Sequence, residues 1–491
     1  MQVSVYFSDY FGVDPETLNA YGAFNVSLIN DLPVFIDPFL LFNSEKTEYQ
    51  ELHLEIIRYV KFLREMSAEG ELSPGLLKSW YRFPEVKQTW LGYSKIGNGG
   101  SGLGQAFSSA LNGNLHTIFK NFGDEQVTKS SHLEKLCLIK DGVGKDNISD
   151  FTTNLIKGFL CEYTQSFANM YMDTNRIKKV AVTHTKFNYK TRSWQTANFD
   201  LPYIDGDFVL LTPKDILTKD EAWINRHDLI GDFAEVAASL SNSELRSQVN
   251  EYLARQIPEK ANQKEINRAV AATLRKFPEL IDHYIRYKED NGADAVRLSD
   301  EKIKETESIF IEQVGKLIST LQSAKDFYSK QLGTYEETLN RVIFLKQVIE
   351  NNDGYRVFYI KGQPVKREAD LQLMFRLTWY AAQEDVNSEV NNGRGPVDYK
   401  ISRGSKDSTL VEFKLASNSK LKQNLENQVV VYEAANQTKQ SIKVIMCFSE
   451  TEITKITKIL NELGLTGAKS IIVIDASRDN KPSASNAKND D

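Results

Sequence analysis

Three side chains in the last quarter of the chain have types and spacing suited to chemistry. Asp398 closes the Gly/Pro-rich segment Gly393-Arg-Gly-Pro-Val-Asp398. Glu412 and Lys414 stand two apart in Val411-Glu-Phe-Lys414. Successive side chains on a strand point to opposite faces, so Glu412 and Lys414 share one face while Val411, Phe413 and Leu415 are free to enter a core. If the two segments pair as a hairpin through Gly404-Ser-Lys-Asp407, with Asp398 on the polar side, two carboxylates and an ammonium converge. Two carboxylates suit a hard cation that takes oxygen ligands and keeps several waters. Such a cation polarises a phosphate and helps to make hydroxide from water. An adjacent lysine can orient that water or stabilise developing negative charge, and nearby carboxylates favour its charged form. A surface hairpin with a routine salt bridge would use the same Glu-x-Lys pair and contribute little. The weight therefore rests on the combination with Gly-Pro-Val-Asp398.

The elements that must position these residues are legible in the pattern. A helix is expected at about 367–383, then strands near 386–391, 396–402 and 410–416, and a helix at about 421–437. A strand at 442–448, a helix at 451–464 and a strand at 470–475 complete the order, and the final strand–helix–strand suits a crossover connection. Charge is also local. The whole chain carries −6, yet residues 394–422 hold seven basic side chains against three acidic ones. Arg394, Lys400, Lys420 and Lys422 lie in this stretch and could attract a phosphate backbone. A solvated, lysine-rich hairpin would have the same composition.

The residues then resemble the PD-(D/E)xK nuclease superfamily, which has the restriction-endonuclease-like fold. Pro396-Val-Asp398 stands at the Pro-Asp element with one residue inserted, and Glu412-Phe-Lys414 at the (D/E)xK element. Leu425-Glu-Asn-Gln428-Val-Val-Val-Tyr432 looks like the Gln-xxx-Tyr helix of RecB-like and Mrr-like branches. Pro364-Val-Lys-Arg-Glu368-Ala-Asp370 looks like the first core helix, which often carries a further acid; Glu368 and Glu389 compete for that place. The resemblance implies an α-β-β-β-α-β core with Asp398, Glu412 and Lys414 as catalytic residues. Asp398 and Glu412 would bind Mg²⁺ or Mn²⁺, with Gln428 and Tyr432 in support. It implies a nuclease acting on nucleic acid, DNA being the commoner substrate, and an endonuclease rather than an exonuclease. A restriction-like, anti-phage role in bacteria accords with it. A nucleic-acid-binding or scaffold protein that keeps the fold without turnover is the alternative, as is a nuclease directed to RNA or to particular structures.

The rest of the chain is less specific. Its 491 residues suggest about three domains. The expected division is a mixed α/β sensing or targeting region at 1–218, which a partner or trigger could engage, and helices at 219–351. The nuclease-like domain follows at 352–476, with a disordered tail at 477–491. The fold class is thus α+β or α/β multidomain. The stripe Ile303, Ile309, Ile311, Val314, Leu317, Ile318 and Leu321 has helical spacing; it suits either a homo-oligomer seam or a bundle within the chain. Gly97, Gly99 and Gly102 match Gly-x-Gly-x-x-Gly but follow no hydrophobic strand, so a loop is expected. Ser149 or Asp150 is expected to cap a helix starting at Phe151; Asp146, Asp150 and Glu162 could instead make a second polar site. Six scattered histidines argue against zinc. Without a membrane-spanning run, a signal-peptide pattern or paired cysteines, a cytoplasmic protein with no membrane partner is expected.

Overall fold

The computed structural model describes all residues except 1–3, 71, 93–107, 109–110, 113–114, 116–120, 140–144, 220, 259–260, 324–332, 352–353, 361, 366, 379–384, 389–397, 404–406, 427–440 and 479–491. The chain divides into two compact units, both mixed in helix and strand. One is built mainly from Glu305–Asp491, the other from Tyr6–Ser94 with Asn98–Lys304. The helices expected as a separate region at 219–351 divide between the two, because their apolar faces enter both cores.

The C-terminal unit is organised by a five-stranded mixed sheet. Its strands are β1 (Asp385–Ser388), β2 (Tyr399–Arg403), β3 (Asp407–Leu415), β4 (Ser441–Cys447) and β5 (Ile471–Asp475), neighbours in that order. β2 runs antiparallel to both its neighbours, β1 and β3, while β3, β4 and β5 are parallel. Parallel neighbours need crossovers, and the helix Glu450–Glu462 supplies the one between β4 and β5. Ser449 caps this helix by accepting from the Glu452 N–H. β4 is buried along almost its whole length, as expected of a strand covered on both faces.

The pleat sorts β3 onto the two faces. Thr409, Val411, Phe413 and Leu415 face one way; Glu412 and Lys414 face the other, in register with Lys443 and Ile445 of β4. On the first face lies α1 (Thr334–Asn351), which buries Val342, Leu345, Val348 and Ile349. There Thr334 and Thr409 share a hydroxyl hydrogen bond of 2.9 Å. Phe375, on α2 (Glu368–Thr378), also packs here against Phe413, the rings tilted at 47° with centroids 4.2 Å apart. On the second face, Ile456 and Ile459 pack with Ala416, Leu421, Leu425, Ile445 and Cys447.

The N-terminal unit is mostly helical around a long antiparallel hairpin, Ile177–Asn188 with Ser193–Ile204. The helix Thr47–Ala68 packs Tyr59 against Trp194 at 5.1 Å and Phe62 against Phe187 at 4.9 Å between ring centroids. The helix expected to begin at Phe151 begins instead at Lys145. Ser149 and Asp150 therefore lie inside it rather than capping it, and the Ser149 hydroxyl accepts from the Ile36 N–H. The glycine segment 97–102 lies outside the described residues. No helix among the described residues is long and apolar enough to cross a membrane.

One contact ties α1 to the sheet through a polar bond. Asp407, the first residue of β3, accepts from the buried Thr334 backbone N–H at 3.0 Å and from its hydroxyl at 2.6 Å. It does the work of a helix cap from another element. Asp407→Ala leaves these buried donors without their acceptor and is expected to cost about 1–3 kcal/mol, measured as a lowered urea midpoint at unchanged slope.

Candidate active site

At the end of β3 the geometry brings four of the singled-out residues together. Tyr399, at the start of β2, pairs with Val411 of β3. Asp398, just before it in the chain, accepts the Phe413 N–H at 2.6 Å through its carboxylate. This bond holds Asp398 near Glu412. Lys414 Nζ lies 3.3 Å from Glu412 Oε1 and 2.5 Å from Glu368 Oε1. Glu368 is the first residue of α2, where a negative charge suits the positive end of the helix dipole. Its second oxygen accepts from Asn418 Nδ2 at 3.3 Å.

The electrostatics are those of a crowded acidic cluster with a cation in its midst. Burial pushes the Asp398 carboxyl up to about 6; Lys414 and the Phe413 N–H oppose this, while Glu412 and Glu368 add to it. Burial alone would lower the Lys414 ammonium, but Asp398, Glu412 and Glu368 outweigh it and raise it above its ordinary value. Lys414 therefore stays charged and serves as a positioned donor rather than as a base.

The donor set for a cation consists of carboxylate oxygens, the chemistry of Mg²⁺ or Mn²⁺ rather than of a thiolate or imidazole metal. Among the described residues no three His, Cys, Asp or Glu side chains are grouped to hold a metal ion. Asp398 and Glu412 make a two-carboxylate set, which fits a cation that keeps most of its waters. Three carboxylates around the single Lys414 ammonium leave a negative balance that a divalent cation would offset.

The other expected site residues fall elsewhere. Lys400 lies on β2 opposite Leu410. Lys420 is exposed, and Lys422 is drawn to Glu462 at 2.7 Å. Glu389, Arg394, Gln428 and Tyr432 lie outside the described residues. Two residues were not singled out by sequence. Asn418 orients Glu368, and its place just after β3 carries no particular signal. Lys443 pairs in register with Glu412 and is buried, its ammonium lowered by burial against the pull of Glu412. A lysine inside the apolar run Ile442-Lys-Val-Ile-Met-Cys447 was the available clue.

A second acidic cluster lies in the N-terminal unit, but it is not the trio Asp146, Asp150 and Glu162. Glu162 is exposed on the next helix, Lys157–Tyr171. Burial pushes Asp150 up to about 7, with Glu85 and Asp146 adding to it. Burial likewise pushes Asp31 up to about 8, raised further by Glu85 and Asp150 and opposed by Lys87. Both Asp31 carboxylate oxygens are buried without a hydrogen-bond partner among the described residues.

Comparison with known families comes back in two pieces. A family model described as Domain of unknown function (DUF8370) matches residues 12–225. A second, Domain of unknown function (DUF8371), matches residues 309–450, a span that includes Glu368, Asp398, Glu412 and Lys414. No curated protein and no solved structure matches the chain.

Asp31 and Asp150 hold their protons more tightly in the folded chain than in the unfolded one. The cost of ionising them is absent below the ordinary carboxylate range near pH 4, grows as pH rises toward the folded values and is complete above them. Asp31→Asn is expected to stabilise the protein more at about pH 8.5 than at about pH 5, by at least ~1 kcal/mol. Urea unfolding at the two pH values checks this; equal effects would mean that Asp31 titrates as an ordinary carboxyl.

Proposed function

We propose that this chain is a metal-dependent phosphodiesterase that cuts nucleic acid, DNA foremost, as an endonuclease. The observation that carries this reading is the convergence of Asp398, Glu412 and Glu368 on the Lys414 ammonium at the end of one strand. The resemblance of Pro396-Val-Asp398 and Glu412-Phe-Lys414 to the PD-(D/E)xK elements supports it, as does the order of helix and strands around them. Antiparallel strands leading into parallel ones, with the acids at the turn of that order, accord with a restriction-endonuclease-like core.

Asp398 and Glu412 would hold Mg²⁺ or Mn²⁺, which when bound polarises the phosphate and makes hydroxide available from water. The chain's own residues do the rest. Lys414, kept charged by its neighbours, donates to the attacking water or to the phosphoryl oxygen as negative charge grows there. Glu368 holds that ammonium in place, and Asn418 holds Glu368. Asp398 is fixed by the Phe413 N–H, so it need not be ordered when substrate arrives. Arg394, Lys400 and Lys420 would meet the phosphate backbone, in keeping with the positive balance of 394–422. A defence role against foreign DNA in a bacterial cytoplasm, with residues 1–218 reading a trigger, accords with this chemistry.

The tight pairing of Lys414 with Glu368 and Glu412 also favours a second reading, in which the fold binds nucleic acid without turnover. Supercoiled plasmid, linear duplex, single-stranded DNA and RNA, each with Mg²⁺, Mn²⁺ or EDTA, separate the two. The wild type is expected to cut duplex DNA only with a divalent cation. Asp398→Asn, Glu412→Gln and Lys414→Ala are each expected to lower the rate about 10²–10⁴-fold, with circular dichroism showing a retained fold. Cutting in EDTA, or undiminished cutting by Lys414→Ala, would sink the reading. Cutting of RNA alone would move the substrate.

A further inference from the structure

A cleft of about 710 Å³ opens in the N-terminal unit, within the range of small-ligand sites. One wall is the helix Thr47–Ala68, which presents Leu54, Arg58, Lys61 and Glu65 on a single face. The tip of the long hairpin brings Tyr189 and Arg192, and the segment 123–131 closes the other side. We infer that this cleft binds a free nucleoside phosphate.

Charge supports an anion. Arg58, Lys61, Lys129 and Arg192 line the cleft against Glu65 and Glu125. Glu125 is turned away from solvent, its side chain only 3% exposed, and is held by Lys135 at 3.3 Å, the Gly123 N–H at 2.8 Å and the Ser131 hydroxyl. Glu65 remains as the opposing charge. The four cations have partners of their own, but on the surface: Arg58 with Glu55 at 3.3 Å, Lys61 with Asp124 at 3.3 Å, Lys129 with Asp290 at 2.7 Å and Arg192 with Glu69 at 3.6 Å. Exposed pairs of this kind contribute little, so a multiply charged phosphate can exchange them for shorter charge-assisted bonds.

Flat and apolar surface supports a base. The Arg58 guanidinium lies over the Tyr189 ring at 4.0 Å, and its side chain is 58% exposed. A guanidinium is planar and stacks on aromatic faces, so an exposed one beside a tyrosine can receive a further ring. Leu54, 61% exposed, and Phe62 add apolar area at the same place. A lone inorganic phosphate would leave most of this volume and all of this surface unused.

The walls are built before any ligand arrives. The Glu289 carboxylate, fully buried, accepts from the Lys129 N–H at 2.9 and 2.7 Å and from the Ser130 N–H at 3.0 Å, and lies 2.9 Å from His132 Nε2. This clamp fixes the backbone that displays Thr128 and Lys129. Thr128 lines the cleft, and its hydroxyl is buried with no hydrogen-bond partner among the described residues. Gly123, at φ +90, has no Cβ to collide with the Lys61 stem, which passes 2.3 Å from where a Cβ would sit. Preformed walls lower the ordering cost of binding.

Isothermal titration calorimetry on the full chain tests this with ATP, AMP, NAD and cyclic di-AMP as probes, independently of any hydrolysis. Adenosine, pyrophosphate and a 5′-phosphorylated tetranucleotide are the controls. At least one of the four nucleotides is expected to bind more tightly than about 1 mM, less tightly as salt rises. Arg58→Ala and Lys129→Ala, both at exposed side chains, are each expected to weaken that binding at least about tenfold with an unchanged melting temperature. The inference is overturned if none of the four binds, if both variants bind as the wild type does, or if adenosine or pyrophosphate alone binds as tightly as the best nucleotide. Tighter binding of the tetranucleotide would overturn the free nucleotide in favour of a nucleic-acid end.

Discussion

One ammonium among three carboxylates decides the character of the C-terminal unit. Charges removed from water need partners or they neutralise, and at the end of β3 Lys414 is the partner that Glu368 and Glu412 share. The bond to Glu368 also fixes where α2 begins relative to the sheet, so the polar cluster and the helix position depend on each other. On the opposite face of the same strand, Phe413 packs against Phe375 of that helix. α2 is thus held to β3 by an apolar contact on one side and an ionic one on the other. Buried ion pairs of this kind are poor sources of net stability, but removing one partner is costly. The arrangement gives placement of charge at the expense of stability.

The backbone supplies the second constraint. The Phe413 N–H is a buried donor that must be satisfied. Asp398 satisfies this one through its side chain. Its raised affinity for a proton reflects its burial first, with the carboxylates around it adding to it. A comparable economy operates in the N-terminal unit. There the buried Glu289 spends its oxygens on loop amides and on His132, and the loop so fixed forms a wall of the cleft. In both places a carboxylate organises backbone that local hydrogen bonding leaves open.

Much of the local structure was legible because it depends on neighbours in sequence. Alternation along 410–415 places Glu412 and Lys414 on one face whatever the sheet does. The apolar spacing of 334–351 makes a helix, and the near-continuous apolar run at 441–447 makes a buried strand. Less legible was anything that needs a distant partner. The helix at Lys145–Leu155 begins one turn and more before the expected cap, because Ser149 is used by the Ile36 N–H and not by its own helix. Asp150 meets Glu85 and Asp146 rather than Glu162, since the intervening chain brings residue 85 alongside. The helices between 219 and 351 look alike in sequence, and their spacing does not say which core each one enters.

The sequence by itself therefore determined the residue types, their face on each strand or helix and the order of elements, since these follow from periodicity and local backbone preference. Only the tertiary structure decided that Glu368 meets Lys414, that Asp398 accepts the Phe413 N–H, that Lys443 lies beside Glu412 and that Glu289 builds the wall of a cleft from residues 160 positions away. Each of these is a pairing between segments far apart in the chain. Such pairings are set by how the apolar faces pack and by which buried polar groups must then find partners, a property of the whole fold that no local window contains.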